Sequence, residues 1–140
     1  MTRPRIVLDT NVLLVSVSAR SPNHWVFRAL VDGLVTLCLS TEIALEYEEV
    51  LAVHLGRAAT DDVMEFLEIA PNVEWVRVRY RWRLVTADPD DDKFADCAVA
   101  AGATVVSEDR HFDPVGDLDF PPLRVVGVEG FRQLLDARAA

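Results

Sequence analysis

Apolar and polar positions alternate along this chain in blocks that switch between two periods. RIVLD, starting at Arg5, is a short continuous apolar run that ends on a charge, the mark of a buried strand. After an RSPN turn, HWVFRALVDG has helical spacing and closes at Gly33. VTLCLS predicts a second buried strand. Ser40 then caps a helix over Thr41 to His54, with Glu42 in its first turn. Thr60 is placed to cap a further helix, DDVMEFLEIA, which Pro71 stops. EWVRVRY reads as a short alternating strand. TADPDDDKFADCAVAAG reads as a turn and then a helix, with Asp90 as its cap and Gly102 at its end. ATVVSED is another buried strand with an acidic end, and LRVVGV and EGFRQLLDARA are a last strand and helix.

Strands alternating with helices predict an α/β fold. The expected architecture is a three-layer α/β/α sandwich with a central, mainly parallel sheet. A chain of 140 residues suits one domain, 1–140, with one sizeable core. No apolar stretch is long enough to span a bilayer, and MTRPRIVLDT has no signal-peptide pattern, so the expected location is cytoplasmic, with no membrane partner. Cys38 and Cys97 lie in apolar context and read as reduced core thiols. The net charge of −9 argues against a basic nucleic-acid surface, unless several carboxylates converge on cations.

Most of the 23 acidic residues must be plain surface, so position has to sort them. In a parallel sheet the ligand site lies beyond the carboxyl ends of the strands, and Asp9 and Asp109 each follow a buried strand. On the helix after Ser40, Ile43, Tyr47, Val50 and His54 share a face, with Glu46 on its border and Glu42, Glu48 and Glu49 further round. On the next acidic helix, Phe94, Ala98 and Ala101 mark the apolar face with Asp91 on their side, while Asp92 and Asp96 count away from it. Asp88, Asp90 and Asp92 fit a solvated capping loop. Asp9, Glu46, Asp91 and Asp109 therefore face one place. Carboxylates so close repel and raise one another's pKa, a conflict that a divalent cation removes. An all-oxygen set suits Mg²⁺ or Mn²⁺, and such ions catalyse phosphodiester cleavage.

These residues resemble the PIN domain family of metal-dependent ribonucleases. The shared features are Asp9-Thr10-Asn11 at a strand end, then Ser40, Ile43, Glu46, Val50 and Leu51 along a helix. Asp91 to Phe94 with Asp96 and Ala98 follow, and Val106-Ser107-Glu108-Asp109 close the set. The segment from DKFADCAVAAG to VVSEDRHF is similar to the branch that serves as toxins of type II toxin–antitoxin systems, a VapC-like group. The resemblance implies Asp9, Glu46, Asp91 and Asp109 as catalytic metal ligands for Mg²⁺ or Mn²⁺. It implies Asn11 and Ser107 as hydrogen-bonding supports of those acids, and Asp96 as a secondary acidic candidate. It also implies an RNA substrate, a cognate antitoxin protein and a homodimer. Glu108 stands where the family often has Gly, as a further carboxylate or a residue facing water. His111, close behind Asp109, is either a phosphate contact or incidental.

Arg77, Arg79, Arg81 and Arg83 recur at period two, which on an extended chain gives one basic ridge. That ridge is either a grip on RNA backbone or a charged edge strand, solvated or paired with aspartates. Two rival readings of the whole chain are a PIN-fold module that binds RNA or a partner without cutting, and a phosphatase of the haloacid dehalogenase type. The phosphatase would want an acid where Asn11 stands.

Overall fold

The computed structural model describes residues 3–139. Six strands form one sheet: β1 (Arg5–Leu8), β2 (Thr36–Leu39), β3 (Val73–Trp75), β4 (Thr104–Val106), β5 (Asp117–Leu118) and β6 (Leu123–Val126). Their order across the sheet is β3-β2-β1-β4-β6-β5. All neighbouring pairs are parallel except β5 with β6. The flanking helices are α1 (Thr10–Val17), α2 (His24–Val31), α3 (Thr41–Leu55), α4 (Arg57–Ile69), α5 (Asp92–Ala101) and α6 (Val128–Ala139).

Successive residues of a strand point to opposite faces. Ile6, Val7 and Leu8 of β1 are all fully buried, and so are Leu37, Cys38 and Leu39 of β2. Both faces of the sheet centre are therefore covered, which makes the expected α/β sandwich. The thiols of Cys38 and Cys97 are free and buried, and burial pushes them up to about 11 and about 12. Among the described residues, no helix is long and apolar enough to cross a membrane.

Several boundaries differ from the sequence reading. Helix α1 follows directly on Asp9, where the sequence pattern shows no helix: in NVLLVSV the apolar residues are nearly unbroken, so no polar face reveals a 3.6-residue period. Helix α4 begins at Arg57, not after Thr60. Thr60 is buried within it and donates its hydroxyl to the Gly56 carbonyl at 2.7 Å, the back-bond that a Ser or Thr makes inside a helix. The inward face of α3 is Ile43, Ala44, Tyr47 and Leu51, and His54 is exposed. Strand β3 stops at Trp75, so the arginines beyond it are not on the sheet. The two-residue β5 is too short to show alternation in sequence.

A candidate metal centre at the carboxyl edge of the sheet

The parallel strands β1 and β4 end side by side, and each hands the chain to a helical turn through an aspartate. Asp9 is the N-cap of α1, and the Asn11 amide donates to its Oδ1 at 3.5 Å. Asp109 caps a 3-10 turn over Arg110–Val115, accepting from the His111 amide at 2.9 Å. A cap position favours an anion, because the first amides of a helix lack internal partners. Register and capping together put both carboxylates at one edge.

Ser107 ties the two junctions. Its hydroxyl donates to Asp9 Oδ2 at 2.6 Å, and the same oxygen accepts from the Asp109 amide at 3.0 Å. Asp9 itself sits only 5 % exposed. Below it, the fully buried Tyr47 donates its hydroxyl to the Leu8 carbonyl at 2.5 Å, fixing the end of β1. The resemblance gives Asn11 the same supporting role as Ser107. Ser107 plays it with its side chain; Asn11 contributes its backbone amide, and its side chain is exposed.

Asp91 comes from the third junction. A 3-10 turn over Pro89–Asp91 leads into α5, which Gly102 ends in the left-handed region at φ +65. Asp88 caps this turn, its carboxylate accepting from the Asp90 amide at 3.0 Å, and the N-cap position of α5 is Asp91, not the expected Asp90. Asp91 makes no capping hydrogen bond with its side chain, which leaves its carboxylate free to face the site. It is buried, and burial together with repulsion from Asp9, Asp109 and Asp88 lifts its pKa from 3.8 to about 7. Burial likewise raises Asp9, with Asp109 and Glu46 adding to the shift and Ser107 and the Asn11 amide opposing it.

His111 stands among these acids. Its Nδ1 lies 3.1 Å from Asp109, 3.4 Å from Asp91 and 3.6 Å from Asp88. One ligand atom from each of Asp88, Asp91 and His111 falls within 4.8 Å of the others, close enough to share an ion. Asp88, read from sequence as part of a solvated loop, thus belongs to the site's rim. The signal for His111 was its place two residues after Asp109, at the second position of the turn that Asp109 caps.

Glu46 reaches the site from α3 and is half-buried. It accepts from the Thr10 hydroxyl and pairs with Lys93 Nζ at 2.8 Å. Thr10 and Lys93 are supports that the sequence reading missed, although both lie inside the quoted motifs. Asp96 does not join this group. It is buried at 5 % exposure, not turned to solvent, and accepts from the Trp82 amide at 3.0 Å. Its charged neighbours are Asp92, Arg81 and Glu42. Asp92 is likewise occupied, accepting from the Val85 amide at 2.8 Å. Glu108 accepts from the Val128 amide at the start of α6, at 2.5 Å, and lines one cavity with Asp9, Asn11 and Asp109. Gly127 leaves room for it: a Cβ there would lie 2.8 Å from Glu108 Oε1.

Among the described residues, no lysine or arginine forms a salt bridge with Asp9, Asp91 or Asp109. The arrangement is thus a set of oxygen donors with one imidazole, short of positive charge. That is the chemistry of a divalent-cation site.

Solved structures share this fold. VapBC2 from Rickettsia felis, bound to a DNA fragment from its promoter, matches at 14% identity and TM-score 0.60, over 88% of this chain and 98% of that chain. DNA-bound VapBC from Salmonella typhimurium matches at 19% identity and TM-score 0.59, over 91% and 99%. FitAcB from Neisseria gonorrhoeae matches at 18% identity and TM-score 0.56, over 89% and 98%. No curated protein matches the chain. The model of the PIN domain matches residues 5–111, a span that runs from the start of β1 through Asp9, Glu46, Asp91 and Asp109 to His111. With that span and the acidic edge it encloses, the chain belongs to the PIN domain family.

Proposed function

We propose that this protein is a divalent-metal-dependent ribonuclease and the toxin of a type II toxin–antitoxin pair. The observation that supports the proposal is the crowding of acids at this edge: Asp9, Asp109 and Asp88 all repel Asp91, ligand atoms of Asp88, Asp91 and His111 lie within 4.8 Å of one another, and among the described residues no Lys or Arg pairs with Asp9, Asp91 or Asp109. Oxygen donors of this kind fit Mg²⁺ or Mn²⁺, and Asp9, Asp91 and Asp109 would hold the ion, with Glu46 at the rim. When bound, such an ion activates water and offsets the charge that develops on a cleaved phosphodiester.

The chain's own residues do the positioning. Ser107 fixes the Asp9 carboxylate in one orientation and, through the Asp109 amide, sets the spacing between the two acids. Tyr47 anchors the strand end that carries Asp9. Thr10 and Lys93 take the two oxygens of Glu46, so this acid is held in place and partly neutralised. Asp9 and Asp91 are buried, so their hydrogen bonds fix them in place, while Asp109 and His111 at the rim stay open to solvent.

The toxin reading is supported by the motifs of the VapC-like branch and by fold neighbours that are VapBC and FitAB complexes. It brings with it an antitoxin partner, a homodimer and a cytoplasmic location. Purified protein is expected to cut RNA with added Mg²⁺ or Mn²⁺ and to stop in chelator. Asp9→Asn, Asp91→Asn and Asp109→Asn should each abolish cleavage while circular dichroism stays native. Full activity in excess chelator, or in Asp9→Asn, refutes the mechanism. Co-expression with the product of a small neighbouring gene tests the toxin assignment, with a stable inhibited complex as the expected result and no complex as the adverse one.

A further inference from the structure

The segment after β3 is neither of the two ordinary things its sequence suggested. It is not a charged edge strand, because strand pairing ends at Trp75. Nor does it form direct ion pairs: among the described residues, Arg77, Arg79, Arg81 and Arg83 form no salt bridge, although Arg81 lies near Asp96. All four are exposed, and no acidic residue occurs from Val76 to Ala87. In a protein of net charge −9 this is a concentrated positive stretch; Arg81 and Arg83 border Glu42, Asp92 and Asp96, while Arg77 and Arg79 are exposed.

The segment is also built to stay put. Val76, Val78 and Leu84 pack against the core, and Val85 is 1 % exposed. The amides of Trp82 and Val85 are held by Asp96 and Asp92 of α5 at 3.0 and 2.8 Å. Between these anchors the aromatic rings face outward. Tyr80 is 64 % exposed and Phe120, from the β5–β6 turn, 80 %. Trp82 lies between them, with ring centroids 4.6 Å from Tyr80 and 5.7 Å from Phe120. Exposing Tyr80 and Phe120 beside the part-buried Trp82 leaves an apolar patch that is unfavourable for a chain without a use for it.

At Arg81 the segment borders the first turns of α3 and α5. Arg81 and Lys93 line one recess with Ser40, Thr41, Glu42 and Asp96, and Lys93 also lines the next one with Glu46. We propose that the Val76–Leu84 segment, with Phe120, is a track for single-stranded RNA that feeds the acidic edge of the sheet. The arginines hold phosphates, and Tyr80, Trp82 and Phe120 offer faces for unpaired bases. Charge plus aromatic stacking is how single strands are held without regard to sequence. An acidic protein segment would answer the arginines but not a three-ring ladder. The direction of the track, though not its occupant, rests on the nuclease reading above.

Binding of a fluorescein-labelled unstructured 12-nucleotide RNA is measured in chelator across a salt series, beside a hairpin of the same length. The single strand should bind more tightly. Arg77→Gln with Arg79→Gln should flatten the salt slope by about 1.4, at roughly 0.7 for each phosphate no longer neutralised. Tyr80→Ala with Phe120→Ala should weaken binding about 30-fold or more with the slope unchanged. Ultraviolet crosslinking of the unmodified protein should place RNA on the Val76–Leu84 peptide. Unchanged binding in both variants, crosslinks elsewhere, or equal binding of the hairpin overturns the proposal. So does tighter capture of a polyglutamate peptide by the same residues, or self-association that Tyr80→Ala abolishes. If the RNA crosslinks to the track but is never cut in Mg²⁺ or Mn²⁺, the nuclease reading fails and this one stands. Cutting that is indifferent to the track gives the reverse.

Discussion

Replacing Asp91 with asparagine should make the metal-free protein more stable and the metal-loaded one less so. In the folded chain this carboxyl titrates near 7, raised first by burial and then by Asp9, Asp109 and Asp88; the unfolded chain releases the proton near 3.8. Between those values the folded state holds a proton that the unfolded state has lost. Stability therefore falls as pH rises from about 4 to about 7, and is level above. The full difference corresponds to about 4 kcal/mol at about 1.4 kcal/mol per pH unit. Solvent at the rim screens the repulsive part, which brings the expected effect to about 2 kcal/mol. Asparagine keeps the shape and never ionises, so its profile lacks this slope. Urea unfolding followed by tryptophan fluorescence, in chelator, should show the variant about 2 kcal/mol ahead of wild type at pH 8, with the gap closing toward pH 4. A divalent ion at about a hundred times its Kd adds about 2.7 kcal/mol to a protein that binds it. Wild type should gain that and the variant should not, so their order reverses. A variant less stable than wild type at pH 8 in chelator, or one stabilised equally by the ion, would refute the electrostatic reasoning.

Three further outcomes follow from the same contacts. Ser107→Ala removes the donor to Asp9 Oδ2 and should weaken metal binding or cleavage about 10- to 100-fold with little change in the fold, as read by isothermal titration and circular dichroism; wild-type affinity would count against its orienting role. Tyr47→Phe deprives the buried Leu8 carbonyl of its hydroxyl partner and should cost about 1–2 kcal/mol in urea unfolding. Glu108→Ala loses the acceptor at the Val128 amide and should cost about 1 kcal/mol while leaving metal titration unchanged. Loss of metal binding in that variant would show that Glu108 is a ligand after all.

How much of this protein its sequence determined depends on how local the cause was. Apolar runs of strand length, separated by helical periods, were enough for an α/β sheet with both faces covered, because burial demands that pattern. An aspartate after a buried strand was enough to mark Asp9 and Asp109, since a charge there needs a partner. Helical phase set Glu46 and Asp91 toward the inside of their helices, and the structure has Glu46 half-buried and Asp91 buried. Other features depend on what a side chain meets after folding. Asp96 counted away from the acidic edge, and it does lie away, yet it is buried where the Trp82 amide returns to it. Helix α1 hid in an apolar run with no polar face. Asp88 and His111, remote in sequence, meet only because one turn leads into α5 and the other follows β4. The arginines at period two suggested a strand, but the chain leaves the sheet after Trp75, and the Trp82 and Val85 amides donate instead to Asp96 and Asp92 of α5. Sequence carries the periodicities that sort residues into inside and outside. The closing of turns onto one another, which decides which acids share a proton, an ion or an imidazole, exists only in three dimensions.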